Sequence, residues 1–339
     1  MIFAGYCMGN MLHCVMDEQA KKLTHLNIAF GIVKNGVITV DGIEEGLVHI
    51  RRLREQNPGL NIILSLGGGE ESQKFLFGEA TRTRQGIDKL AASAMKIVKE
   101  YNLDGIDCDW EYSCSNSGDP AKKQQHLILM RTFRNLLDEY GSARGKKCWL
   151  TYAAQCTEIY IQNVALKELV GVADFINLMC YDYRWESPIT GFHSNTYTPQ
   201  RDDDPTSIVW AIEKYTAAGV PIEDLVIGAA FYSHRYDGVT GGGDGYGKPY
   251  SGAYIYGPSY TSIHNEYEKN SKFTKHWDDT AKEPWLFDGE SFITYDDADA
   301  MYHKAELVKK EGLGGMMYWE HSSDSTGTLF NAIYDNLMI

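Results

Sequence analysis

The stretch "LDGIDCDWEY" at 103–112 places Asp104, Asp107, Asp109 and Glu111 within ten positions. Ile106, Cys108 and Trp110 alternate with the last three acids, which is the period of a β-strand. Asp107, Asp109 and Glu111 then share one face, and the apolar residues take the other. Crowded carboxylates cannot all ionise cheaply, because like charges and burial raise the pKa of at least one. A carboxyl kept protonated near neutral pH is what a general acid needs. Three acids in one row can also ligate Mg²⁺ or Ca²⁺. Spacing alone leaves catalysis and metal binding level.

Such a row needs a scaffold that holds it at a wet mouth. Eight short apolar runs read as strands: 2–6, 26–33, 61–67, 103–112, 148–155, 175–182, 225–232 and 314–320. Most are nearly continuous in apolar residues, as strands covered on both faces are. Helical spacing separates them. Ile43, Leu47, Ile50 and Leu53 mark a helix over 43–57 that stops before Pro58. Asp119 as N-cap and Pro120 in the first turn open a helix over 119–140, closed by Gly141. Further helices are expected over 206–218, ending at Gly219, and over 296–311, from Asp296 to Gly312. Strand then helix, repeated about eight times, predicts an α/β fold of the (β/α)8 TIM-barrel type. A doubly wound open sheet is less favoured, because no glycine-rich phosphate turn follows the first strand. The stretch 233–293 breaks the rhythm with Gly, Tyr and short aromatic runs, and reads as a small α+β insertion. The barrel would then comprise 1–232 and 294–339. The Gly cluster at 241–247 lacks a flanking strand and helix, so it is not a nucleotide loop.

The net charge of −14 argues against nucleic acid and anionic membranes as partners, since both favour Lys/Arg patches. A neutral polysaccharide suits an acidic chain with 22 Tyr and 7 Trp, because sugar rings stack on aromatic planes. Seven cysteines, an odd count without a CxxC pair, speak against zinc ribbons and lean towards a reducing, cytoplasmic setting. The opening "MIFAGYCMGN" shows neither a basic leader segment nor a long apolar run. A secreted protein whose leader has been removed would read the same. The ten His show no HExxH or similar spacing, so no metal is expected.

The pattern D-x-x-D-x-D-x-E, formed by Asp104, Asp107, Asp109 and Glu111, resembles the signature of glycoside hydrolase family 18, the chitinases. "SLGG" at 65–68 resembles the family's third-strand motif, and "MCYD" at 179–182 its sixth-strand M-x-Y-D. "GGMMYWE" at 314–320 is similar to its last strand, with Trp319 at the sugar-stacking position. The similarity runs through nearly the whole chain and includes the end of the larger subfamily's insertion domain.

The resemblance implies retaining hydrolysis of β-1,4-linked N-acetylglucosamine chains, chitin or chito-oligosaccharides, by a monomer without a cofactor. Glu111 would protonate the glycosidic oxygen. Asp109 would orient the substrate's acetamido group, whose oxygen is the nucleophile, and Asp107 would share a proton with Asp109. Tyr181 would bond the acetamido oxygen, and Asp182 would support the sugar. Trp319, Met179, Tyr112, Tyr6, Phe30, Gly68 and Tyr232 are the candidate substrate contacts. For Tyr6, Phe30 and Tyr232, core packing is as open as cleft lining, and Met179 could be core filler. Two departures stand out. Gly69 and Glu70 follow SLGG where many relatives carry Trp. Phe231-Tyr232-Ser233-His234-Arg235-Tyr236 stands where relatives often read F-Y-G-R-G-W, so the Arg is either displaced to Arg235 or replaced by His234. The alternatives are an endo-N-acetylglucosaminidase on N-glycans or bacterial wall glycan, and a chitin-binding lectin without turnover.

Overall fold

The computed structural model describes residues 1–111 and 120–339, apart from the side chains of Glu71 and Ser72. Tyr112 and the expected N-cap Asp119 lie outside the described residues. In chain order the strands begin with β1 (Ile2–Met8), β2 (His25–Lys34), β3 (Val37–Thr39), β4 (Asn61–Gly67) and β5 (Gly105–Asp109). Then come β6 (Trp149–Gln155), β7 (Phe175–Met179), β8 (Leu225–Ala230) and β9 (Tyr232–Tyr236). The last are β10 (Tyr254–Ser259), β11 (Thr274–Asp278), β12 (Glu283–Phe287), β13 (Phe292–Tyr295) and β14 (Gly315–Trp319).

Eight strands run parallel in the order β1-β14-β8-β7-β6-β5-β4-β2, and β2 pairs back to β1. This is the expected closed (β/α)8 barrel. Strand β3 adds an antiparallel hairpin to β2. Its turn is Asn35-Gly36, both at positive φ (53° and 71°). That pair suits the tight hairpin turn that matches strand twist. Alternation then sorts each barrel strand. Ile106 and Cys108 face the helices, within the large apolar layer between sheet and helices. Inside the barrel, Ala4, Tyr6, Phe175, Val226 and Met317 form a smaller cluster.

Between β8 and β14 lies a five-stranded antiparallel sheet in the order β10-β9-β13-β12-β11. It has its own aromatic core, including Phe192, Tyr236, Tyr246, Trp285 and Phe292. Buried Lys304, on the helix Ala298–Glu311, pairs with Asp296 and with Glu283 of β12.

The helix ends differ from expectation in instructive ways. The stretch 43–57 forms two short helices, Glu44–Leu47 and Ile50–Gln56. Gly46 presses on the Gly9 carbonyl so closely that a Cβ would stand 1.7 Å from it, and the first helix ends one residue after this contact. The helix from Pro120 passes through Gly141 and ends at Arg144. Gly141 is held against the Lys146 carbonyl, and the left-handed terminator is Gly145 (φ 63°). Asp297, not Asp296, caps the Ala298 helix, accepting from Ala300 N–H at 2.9 Å.

Asp104 sits at the base of β5, fully buried. It accepts from Arg54 at 2.8 Å, Arg144 at 3.0 Å, Lys146 at 2.7 Å and the Ile62 N–H at 3.0 Å. Burial pushes its carboxyl up, but the Lys146 and Ile62 bonds and the Arg54 charge outweigh this and hold it below the usual range. A depressed carboxyl adds stability above its unfolded pKa of about 3.9, and that stability is lost as pH falls through the folded value. Asp104→Asn is therefore expected to lower unfolding stability by about 2–3 kcal/mol at pH 7. The gap should narrow below about pH 4. Urea unfolding at both pH values checks this, and an unchanged midpoint at pH 7 would remove the anchoring role.

Candidate active site

The site is built upward from Asp107. Register places Ser65 of β4 and Thr151 of β6 on either side of it. Both hydroxyls donate to its carboxylate, at 2.7 and 2.6 Å. Tyr6 Oη donates at 2.8 Å and Asn177 Nδ2 at 3.2 Å. Burial raises the Asp107 pKa, and these four donors pull against it.

One step higher, Asp109 is 4% exposed. It pairs with Gly67 of β4, whose φ of 113° lets the two backbones meet. A Cβ on Gly67 would lie 2.3 Å from the Asp109 carbonyl. Asp109 hydrogen-bonds Glu111, yet among the described residues its Oδ1 has no partner. Burial first, then the charges of Glu111 and Asp107, hold its pKa well above the ordinary range. Glu111 lies just past the end of β5, its N–H bonded to the Asp109 carbonyl at 3.1 Å. Gly69 faces it, with a built Cβ 3.3 Å from Glu111 Oε2. The expected row of Asp107, Asp109 and Glu111 is thus assembled in one column, dry at the bottom and open at the top.

Tyr181 and Asp182 follow β7. Tyr181 packs edge-on to Tyr232, with centroids 6.0 Å apart. Burial and then Asp109 push its phenol up, with Asp182 and Glu111 adding to the shift. Asp182 takes a φ of 62°. Its Oδ1 accepts from Tyr232 Oη at 2.5 Å and lies 2.9 Å from His234 Nε2. His193 Nδ1 stands 4.0 Å away, beyond hydrogen-bond reach. Burial pushes the Asp182 carboxyl up, but the two imidazoles outweigh this and hold it low. Burial, then His234, lowers the pKa of His193 to about 3.

The question of the displaced Arg is settled by alternation along β9. Tyr232, His234 and Tyr236 face one way, and Arg235 the other. Arg235 bonds Asp237 at 2.7 Å and Tyr267 Oη at 3.2 Å. The residue beside Asp182 is His234.

Trp319 at the end of β14 stacks on Phe30, with centroids 5.5 Å apart, and leans on Tyr6 at 5.8 Å. Gly68 (φ 90°) makes room for Phe30, whose ring is 2.6 Å from where a Cβ would be. Met179 joins the inner barrel cluster beside Tyr181 and Trp319. The candidate contacts Tyr6, Phe30, Gly68, Met179, Tyr181, Asp182, Tyr232 and Trp319 thus gather around the acid column. Tyr6 is 2% exposed and serves Asp107, so it is a wall of the site and not an open surface. Sequence reasoning missed Trp185 and Tyr256, which meet at 4.6 Å and are 51% and 44% exposed. It also missed His193. Trp185, three residues after Asp182 in the MCYD motif, carried a usable signal. His193 and Tyr256 did not.

Known proteins resemble this chain over most of its length. The family described as glycosyl hydrolases family 18 matches residues 3–324. Chitinase A1 of Niallia circulans is 32% identical over 309 residues, covering 85% of this chain. The chain in turn spans only 44% of that protein. A glycoside hydrolase family 18 N-acetylglucosaminidase from Paenibacillus barengoltzii is 38% identical, superimposes with a TM-score of 0.92, and 99% of each chain is covered. Chitinase ChiW of Paenibacillus sp. str. FPU-7 is 30% identical with a TM-score of 0.90, over 100% of this chain and 43% of its own. The barrel, its acid column and these matches together place the chain in glycosyl hydrolase family 18.

Proposed function

We propose that this chain hydrolyses β-1,4-linked N-acetylglucosamine oligomers or polymers with retention, using the substrate's acetamido group as nucleophile. The observation that carries this reading is Asp109. It is a buried carboxyl, bonded to Glu111, with one oxygen lacking a partner among the described residues. An acetamido N–H seated over the column would supply that partner. Glu111, at the wet end, gives its proton to the glycosidic oxygen as the bond to C1 breaks. The acetamido carbonyl oxygen bonds to C1 from the opposite face, forming an oxazolinium ion. Asp109 stabilises the charge that develops there, and Asp107 sits below to share its proton. Tyr181 Oη holds the acetamido oxygen in line. Water then attacks C1 as the bond from C1 to the acetamido oxygen breaks, and its proton passes to Glu111, which restores both the acetamido group and the acid.

Trp319 over the column and the Trp185–Tyr256 pair beside it offer flat apolar planes for sugar faces on two sides of the acid. Gly69 in place of a large aromatic leaves one flank of Glu111 without such a plane. That gap, and the likeness to an N-acetylglucosaminidase, favour a second reading in which single sugars are released from chain ends. Product analysis on chito-oligomers of increasing length separates the two. Monomer from every length supports terminal release, and mixed oligomers support internal cleavage.

Glu111→Gln is expected to cut kcat on a chromogenic chitobioside at least about 10³-fold while binding persists. Undiminished turnover in the variant would sink the assignment of Glu111, and tight oligomer binding by the parent without any product would favour the lectin. Fully deacetylated oligomers should not turn over, because a free amine cannot close the oxazoline ring. Comparable rates on both substrates would exclude the route. Asp109→Asn tests the crowding directly. A carboxyl whose folded pKa is raised is fully accommodated below its unfolded pKa of about 3.9, and it destabilises as pH rises through the folded value. The variant should therefore be more stable than the parent at pH 8, by about 1.4 kcal/mol for each unit of pKa elevation removed. The two should converge near pH 4, and thermal unfolding at the two pH values reads the difference.

A further inference from the structure

We propose that Asp182, His193 and His234 form a binding site for a divalent transition-metal ion of the zinc class. One ligand atom from each lies within 4.8 Å of the others. Two imidazoles and a carboxylate are the donor set that borderline dications take, whereas Mg²⁺ and Ca²⁺ prefer all-oxygen shells. Ligand atoms of a tetrahedral zinc stand roughly 3.3–3.5 Å apart. The separations here, 2.9 Å from His234 Nε2 and 4.0 Å from His193 Nδ1 to Asp182 Oδ1, straddle that value.

The second observation is His193 itself. Its side chain is fully buried, and among the described residues neither ring nitrogen has a hydrogen-bond partner. A buried imidazole without a partner is a costly object unless something polar binds it. His234 is also fully buried, and its Nδ1 lies 3.1 Å from Tyr254 Oη. When an ion takes the Nε2 lone pair, the ring carries its proton on Nδ1, where Tyr254 Oη can accept it. Holding the far nitrogen of a ligating His is the usual outer arrangement of metal sites. Tyr232 Oη, on the same carboxylate oxygen, orients Asp182. The Asp182 side chain is 23% exposed, so an ion enters from the cleft.

An ion here engages Asp182, which the reading above gives to the sugar, so it would compete with substrate. That consequence rests on the hydrolase reading, but the ion site does not. The experiment is calorimetric titration of ZnCl₂ into the chelator-treated full chain, beside His193→Gln and Tyr254→Phe. One ion per chain is expected, with His193→Gln and Tyr254→Phe each weakening affinity at least about tenfold. Co²⁺ in place of Zn²⁺ should give a visible absorption band that His193→Gln removes. No uptake by the parent overturns the proposal. So does equal affinity in both variants when circular dichroism shows them folded. If His193→Gln does not fold, Tyr254→Phe decides alone. Inhibition of chitobioside turnover by ZnCl₂ is read separately. Binding without inhibition leaves the site standing and overturns only the competition.

Discussion

The charge of Asp107 in the barrel interior is bearable only because four side chains from β1, β4, β6 and β7 donate to it. Each donor sits on a different strand, so the carboxylate ties the staves of the barrel together at one level. It also sets the potential for everything above it. With Asp107 held in place, Asp109 feels burial and two negative neighbours, and its proton is hard to remove. Glu111 lies just past the strand, where the chain leaves the sheet. The column grades from dry to wet over five residues, and this gradient lets chemically similar acids take different parts.

Much of the fold was legible because strands covered on both faces carry long apolar runs. The run 61–67 matches β4 residue for residue. Where the reading overshot, packing explains it. The run 103–112 ends as a strand at Asp109, because Trp110 turns out to stack on Phe77 at 5.4 Å. The run 175–182 stops at Met179 because Asp182 takes a left-handed φ. Helix ends depended on which glycine met a neighbouring backbone, and no local pattern reveals that. The Asn35-Gly36 turn of the β2–β3 hairpin could have been read from sequence and was not.

The site divides the same way. Period-two alternation alone places Asp107, Asp109 and Glu111 together, and it also decides between His234 and Arg235 once β9 is known to be a strand. The meeting of His193 with Asp182 is another matter. Eleven positions separate them, on an irregular stretch with no period to extrapolate. Tyr256 reaches the cleft only because β10 pairs with β9. Contacts carried by antiparallel pairing in the inserted sheet are invisible until that pairing is drawn.

Phe231 is the single residue between β8 and β9. At the other end of the inserted sheet, Asp296 and Asp297 alone separate β13 from the helix at Ala298. Buried Lys304 fastens that helix to Glu283 on β12. The wall bearing Tyr232 and His234 is thus joined to the barrel by short, packed links, without the slack a hinge requires. It behaves as masonry and not as a door. A ligand entering the cleft spends little entropy on shaping that wall, and its departure does not wait on that wall to swing.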